Sequence, residues 1–256
     1  MEHLKTLIAA VSSKEVKVID LTHTLNGSFP ALQLPPEFGQ VEPFKKNQIS
    51  KYDDLGPGWY WNNFTCGEHT GTHFDAPVHW VTGKDHPNNS VDTIPPEHFV
   101  AAANVIDASS EVAANNDFVL TPEFIQDWEK KHGDIEAGSW VLFRTDWHKR
   151  QLPDDFLNVG EDGLNHTPGP SKEAVEYLIS KDVLGFGVET INTDAGMSFT
   201  WEFQLPCHTL MHGAGKYGLQ CLCNLDQLPP KGAVIIAAPL KIEEGSGSPL
   251  RVFALT

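Results

Sequence analysis

Basic side chains are scarce: 18 lysines and arginines stand against 34 aspartates and glutamates, a formal net charge of −16. A surface that acidic repels phosphate backbones and anionic lipid headgroups, so neither nucleic acid nor a membrane surface is an expected partner. Cysteine is scarce too. The four at positions 66, 207, 221 and 223 have neither the paired CxxC spacing of a zinc ribbon nor the density of a disulfide scaffold, and they read as small buried thiols. Long apolar runs are missing. The stretch Leu4 to Val11 is too short to span a bilayer, and with Glu2 before it and a single lysine it fits a secretory leader poorly. The expected compartment is the cytoplasm. Internal repeats, low-complexity stretches, HExxH and GxSxG are all absent. That removes the repeat architectures, the zincin helix and the serine nucleophile elbow.

What is present suits one ordinary globular unit over residues 1–256, with 40% hydrophobic and 20% charged residues. Proline pairs at Pro35-Pro36, Pro95-Pro96 and Pro229-Pro230, with Pro168 to Pro170, read as turns rather than linkers. Strands are expected at Val16 to Leu21, Asn104 to Ile106, Trp140 to Thr145, Val183 to Val188, Ala233 to Ala238 and Leu250 to Leu255. Helices are expected from Leu4 to Ser13, from Glu123 to Lys131 behind Thr121-Pro122, and from Lys172 to Ser180 behind Ser171. Strands outnumber helices and do not alternate with them. The pattern predicts an α/β chain with a mixed or β-barrel-like sheet and peripheral helices.

The segment 69–79 reads HTGTHFDAPVH and holds His69, His73, Asp75 and His79. Gly71 and Pro77 disfavour a helix there. On a straight strand, at roughly 3.3 Å per residue, His69 and His73 would stand about 13 Å apart, too far to share one ion. Gly71 can bend His69 back toward His73 and Asp75, and Pro77 can turn the chain so that His79 stands beside them without ligating. Two histidines and an aspartate make a nitrogen and oxygen site suited to zinc, manganese or iron. A second pair, His208 and His212, is four residues apart and would share a helical face.

HTGTHFDAPVH resembles the HxGTHxDxPxH signature of the cyclase family, which includes bacterial kynurenine formamidases and manganese-dependent isatin hydrolases. The similarity runs from Asp20-Leu21-Thr22 through Phe143-Arg144-Thr145 to His208, the stretch 221–228 and the closing Gly247 to Arg251. The resemblance implies a swivelling β/β/α domain assembled as a homodimer or homotetramer. It assigns metal binding to His69, His73 and Asp75, and proton transfer to His79. Where the family places a glutamate before an NL-containing stretch, this chain has Gln220 ahead of Asn224-Leu225. A neutral glutamine bridges cations poorly, so one divalent ion is expected at His69, His73, Asp75 and Gln220. Manganese is preferred and zinc is the alternative. His208 is then free to contact substrate, and with His212 to donate to a tetrahedral oxyanion.

Trp59, Tyr60, Trp61 and Phe64 put four aromatics in six residues before the motif, and Trp80 follows it. Their bunching suggests a flat pocket for a small aromatic amide, with Trp59, Phe64 and Trp80 as walls. By the resemblance, the expected reaction is opening of the lactam of isatin. The rivals are hydrolysis of N-formylkynurenine and a catalytically silent metal-binding protein.

Overall fold

The computed structural model describes residues 2–32, 34 and 38–256; the turn expected at Pro35-Pro36 lies outside them. Nine strands form one sheet in the order Val18–Asp20, Phe253–Leu255, Ala233–Ile236, Val100–Asp107, Trp140–Arg144, Gly185–Val188, Tyr217–Gln220, His73–Asp75 and Gly247–Pro249. The middle is parallel, from Val100–Asp107 to Tyr217–Gln220, and both flanks are antiparallel. The sheet is mixed and curled into a half-barrel with helices outside it, the architecture expected.

The central strands read as continuous apolar runs because both of their faces are covered. Val141 and Phe143 pack on one side with Trp128, Leu178 and Phe186, while Trp140 and Leu142 pack on the other with Phe74 and Leu219. The first side carries the helices Pro122–His132 and Lys172–Ser180. Their caps are the predicted ones: Phe124 N donates to Thr121 Oγ1 at 3.4 Å and Ala174 N to Ser171 Oγ at 3.1 Å. A helix at Glu2–Ser13 is also found.

Sequence reading missed the strands His73–Asp75 and Gly247–Pro249, three residues each and without an apolar alternation to announce them. It also missed a long hairpin, Lys45–Asp53 paired with Gly56–Thr65, which forms a two-stranded sheet of its own apart from the nine-stranded one. Cys207, Cys221 and Cys223 are buried free thiols as expected, and Cys66 is half-buried.

The turn Pro77–His79 is held against the helix Pro206–Gly213 through Gly83. A Cβ on Gly83 would stand 2.0 Å from Pro77 O and 2.8 Å from His212 O, both backbone atoms that cannot step aside. Gly83→Ala is therefore expected to lower stability by about 1–3 kcal/mol, the usual range for overpacking. For a chain of this size that is roughly 2–4 °C of melting temperature per kcal/mol. Thermal unfolding followed by circular dichroism checks it, and an unchanged melting temperature would show that the two elements are not locked there.

Candidate metal and active site

His73 and Asp75 sit two apart on one short strand, so their side chains leave the same face. That strand pairs His73 with Gln220 and Asp75 with Gly218 on one side, and His73 with Pro249 and Asp75 with Gly247 on the other. Glycine opposite Asp75 in both neighbours makes room for the cluster. A Cβ at 218 would meet Asp75 Oδ2 at 2.9 Å, and one at 247 would meet the His69 ring at 2.6 Å. Gly71 adopts φ +69°, the left-handed conformation that costs glycine nothing. The chain turns there as anticipated, and His69 Nδ1 comes to 2.8 Å from Asp75 Oδ1.

Hydrogen bonds fix which nitrogens carry protons. Ser246 Oγ donates to Glu68 Oε2 at 2.5 Å, so the 2.9 Å contact between His69 Nε2 and Ser246 Oγ is donated by the imidazole. In a neutral ring His69 Nδ1 is then bare, and it faces a carboxylate oxygen that only accepts. Such a pair needs a proton or a cation between its members. His73 Nδ1 donates to Gly71 O at 2.8 Å, which leaves Nε2 bare; that atom is buried, has no hydrogen-bond partner, and lies 3.4 Å from the same Asp75 Oδ1. Three lone pairs thus converge at one point. Nitrogen and carboxylate donors arranged this way fit a divalent transition ion.

Asp75 is fully buried. Burial, the largest influence, works to raise its pKa, but His73, the His69 hydrogen bond and the charges of His69 and His79 outweigh it and hold the carboxyl well below the usual range. Burial pushes His73 down to about 4 and His79 to about 2, aided in each case by neighbouring histidines and opposed by Asp75. Gln220 donates its side-chain amide to Asp75 Oδ2.

His79, on the turn Pro77–His79, stacks on His69 with ring centroids 3.8 Å apart. One of its nitrogens lies within 4.8 Å of ligand atoms of His69 and Asp75. His208 and His212 do share a face of the helix Pro206–Gly213, with rings 5.6 Å apart, and together with Asp75 they form a second group able to hold an ion.

The two histidines differ in kind. His208 Nδ1 bonds Asp194 Oδ2 at 2.6 Å, and its Nε2 reaches within 3.9 Å of Asp75 Oδ2. Burial works to lower its pKa, but Asp194 and Asp75 prevail and raise it. His212 Nδ1 donates to Lys216 O at 3.1 Å, and burial with His208 beside it lowers its pKa to about 4. Its Nε2 is therefore a bare acceptor. Of the two oxyanion donors expected from sequence, only His208 has the proton, because a backbone carbonyl fixes the other ring.

Trp80 reaches the cluster, its ring 5.0 Å from His208 and 6.3 Å from His79. Trp59 does not: it stands on the exposed hairpin, and no ring contact among the described residues joins it to the histidines. Phe64, at the hairpin's base, lines a groove with Cys66, Gly67 and Glu68 rather than the cluster itself. Sequence reading missed Asp194, Glu68 and Ser246. The polar run Glu189 to Asp194 directly after an apolar strand was a usable signal, since carboxyl ends of parallel strands gather functional groups; Glu68 and Ser246 gave none.

The profile of the family described as putative cyclase matches residues 19–195, and the chain belongs to that family. Within it, the chain is 50% identical over 254 residues to an isatin hydrolase of Roseibium aggregatum, covering 98% of this chain and 96% of the relative. It is similar to the solved isatin hydrolase A of Ralstonia solanacearum at 65% identity and a TM-score of 0.97, covering 99% and 97% of the two chains. It is similar as well to an isatin hydrolase bound to the product analogue thioisatinate, at 48% identity, TM-score 0.97, and coverage of 100% and 98%.

Asp194 holds His208 in place and caps its helix, accepting from Cys207 N at 2.5 Å and His208 N at 3.1 Å as well as from the ring. Each buried donor left unpaired costs about 1–3 kcal/mol, so Asp194→Ala is expected to destabilise by about 3 kcal/mol or more. It should also raise hydrogen exchange along 206–213. Urea denaturation with exchange mass spectrometry reads both, and a variant unchanged in each would remove Asp194 from this role.

Proposed function

We propose that the protein is a metal-dependent hydrolase that opens the lactam ring of isatin to isatinate. The observation that carries this reading is the full-length likeness to isatin hydrolases, one of which holds thioisatinate. The converging lone pairs at Asp75 Oδ1 support it chemically. His69, His73 and Asp75 would hold the ion; Gln220 joins them through a half-turn of its amide, which presents oxygen in place of nitrogen without moving its stem. One ion per chain is expected, manganese before zinc. When bound, a divalent ion supplies Lewis-acid chemistry, polarising a carbonyl and acidifying water.

The remaining steps fall to the chain's own groups. Water adds to the lactam carbonyl, the C–N bond breaks, and the ring nitrogen leaves as an arylamine. One proton must leave the nucleophile and one must reach nitrogen. His79 is neutral and stacked beside His69, placed to accept the first and return the second. His208 donates from Nε2 to the oxygen that gains charge, while His212 orients substrate as an acceptor and Trp80 offers a ring for stacking. The protein is read as one domain acting in the cytoplasm as a homodimer or homotetramer; no helix among the described residues is long and apolar enough to cross a membrane.

N-formylkynurenine carries a charged amino-acid tail that needs a partner when buried. Among the described residues no lysine or arginine pairs with the cluster, and Lys84, nearest in sequence, is exposed and bonded to Asp85. Steady-state comparison with manganese-loaded protein should give a higher kcat/KM for isatin. Equal or better efficiency on N-formylkynurenine would move the chain to the formamidases.

His79→Ala separates ligand from acid-base roles. The variant should keep one divalent ion per chain by elemental analysis and lose about a hundredfold or more in turnover, the usual contribution of such a group. Loss of the ion would make His79 a ligand.

A further inference from the structure

A groove of about 410 Å³ runs between the loop 22–30 and the segment 148–156, and none of its lining residues belongs to the histidine cluster. Its size is that of a small-molecule site. On a chain with 34 aspartates and glutamates, no carboxylate lines it among the described residues, whereas His23, His148 and Arg150 do. Phe29 and Phe156 supply its apolar wall, their rings 5.6 Å apart and 5.2 and 5.8 Å from the ring of His23.

Arg150 is the unusual cation. Of the three arginines, Arg144 pairs with Asp107 and Asp146 and Arg251 with Asp20, but Arg150 pairs with no carboxylate among the described residues. Its Nη1 donates to Asp155 O at 3.1 Å and its Nη2 to Asn116 Oδ1 at 2.8 Å, and the guanidinium lies 3.6 Å from the centre of the Trp147 ring. These contacts fix its plane and leave N–H groups to spare. A guanidinium held in this way is a fork for a carboxylate.

His23 offers the opposite chemistry. Its Nε2 is buried and has no hydrogen-bond partner. Burial, with His148 beside it, lowers the pKa of the ring against Glu189 and a hydrogen bond with the Leu222 backbone, so the ring is neutral. A hydrogen bond that works to raise an imidazole pKa is one the ring donates to a carbonyl, and Leu222 N is already spent on Val188 O at 2.9 Å. The proton therefore sits on Nδ1, and Nε2 is a bare acceptor. His148, the other histidine of the groove, is engaged by Glu189 through Nδ1 at 2.6 Å. A buried acceptor left without a donor costs free energy that a ligand N–H or O–H recovers.

We propose that this groove binds a small aromatic monocarboxylate bearing an amino or hydroxyl group, with its carboxylate on Arg150, its donor on His23 Nε2 and its ring against Phe29 and Phe156. One fixed cation suits one negative charge, which favours a carboxylate over a dianionic phosphate. The proposal does not rest on the reaction given above, although the ring-opened product of that reaction, an aminoaryl carboxylate, belongs to the class.

Calorimetric titration of the metal-loaded protein should show saturable binding of 2-aminobenzoate, about fivefold tighter than benzoate, the worth of one neutral hydrogen bond. Arg150→Gln, with unchanged circular dichroism, should weaken both acids about tenfold or more through loss of a charge-assisted pair. His23→Phe should keep benzoate binding and erase the preference for the amine. Crystals soaked in 2-amino-5-iodobenzoate should place the anomalous signal of iodine in this groove, which decides the site even if a variant does not fold. Native binding by Arg150→Gln, a preference that survives in His23→Phe, or iodine at the histidine cluster alone would each overturn the proposal. Isatinate that outcompetes 2-aminobenzoate makes the product the occupant, and the reverse order makes it an aryl acid from outside the reaction; the site stands in both cases. None of these measurements uses turnover, so native protein inert on isatin overturns the function reading while binding alone decides the groove.

Discussion

A carboxylate with no solvent exposure governs this centre. Removing an ion from water costs several kcal/mol even after relaxation, and the usual remedy is a buried lysine or arginine. Asp75 has neither as a partner among the described residues. It is surrounded instead by His69, His73, His208 and the amide of Gln220. The surrounding backbone is shaped to allow this: glycines at 218 and 247 clear the space on either side, and Gly71 turns the chain so that His69 reaches back. A neutral ring such as that of His73, whose Nδ1 donates to Gly71 O, turns only a lone pair toward the centre and cannot neutralise a carboxylate. The arrangement therefore calls for further positive charge, which a divalent ion held by these donors would provide.

The neighbouring hydrogen bonds decide what each imidazole can do. A backbone carbonyl only accepts, so Gly71 O and Lys216 O place the proton of His73 and His212 on Nδ1 and turn a bare Nε2 toward the centre. Asp194 does the opposite for His208, because a carboxylate partner favours the imidazolium. Donor and acceptor are thus assigned by groups outside the cluster. The two histidines of one helical face, indistinguishable in sequence, become a donor and an acceptor through contacts with Asp194 and with Lys216 O.

How much of this was legible depended on whether the signal was local. The clustering in segment 69–79 could be read because its candidate ligands and hinges lie within eleven residues, and the predicted bend at Gly71 is the one found. Helices behind Thr121 and Ser171 were legible for the same reason, since a cap and a first turn are written side by side. Gln220 was reached only through the family resemblance. Its place opposite His73 is a matter of strand register, which joins positions 147 residues apart in the chain. Asp194, Glu68 and Ser246 depend on where loops cross, and no periodicity encodes that.

The aromatic cluster shows how a local signal misleads when the element is misjudged. Four rings in six residues suggest one pocket wall only if the chain there is compact. In an extended strand, neighbours such as Tyr60 and Trp61 look in opposite directions, and each further residue adds about 3.3 Å of separation from the motif. Density in sequence then becomes dispersion in space. Trp80 escapes this because a tight turn, Pro77–His79, precedes it and keeps it beside the histidines. The extended backbone thus disperses the rings at 59–64 along an exposed strand, while the turn at 77–79 holds Trp80 against His208, so the same local density of aromatics has two outcomes set by backbone geometry alone.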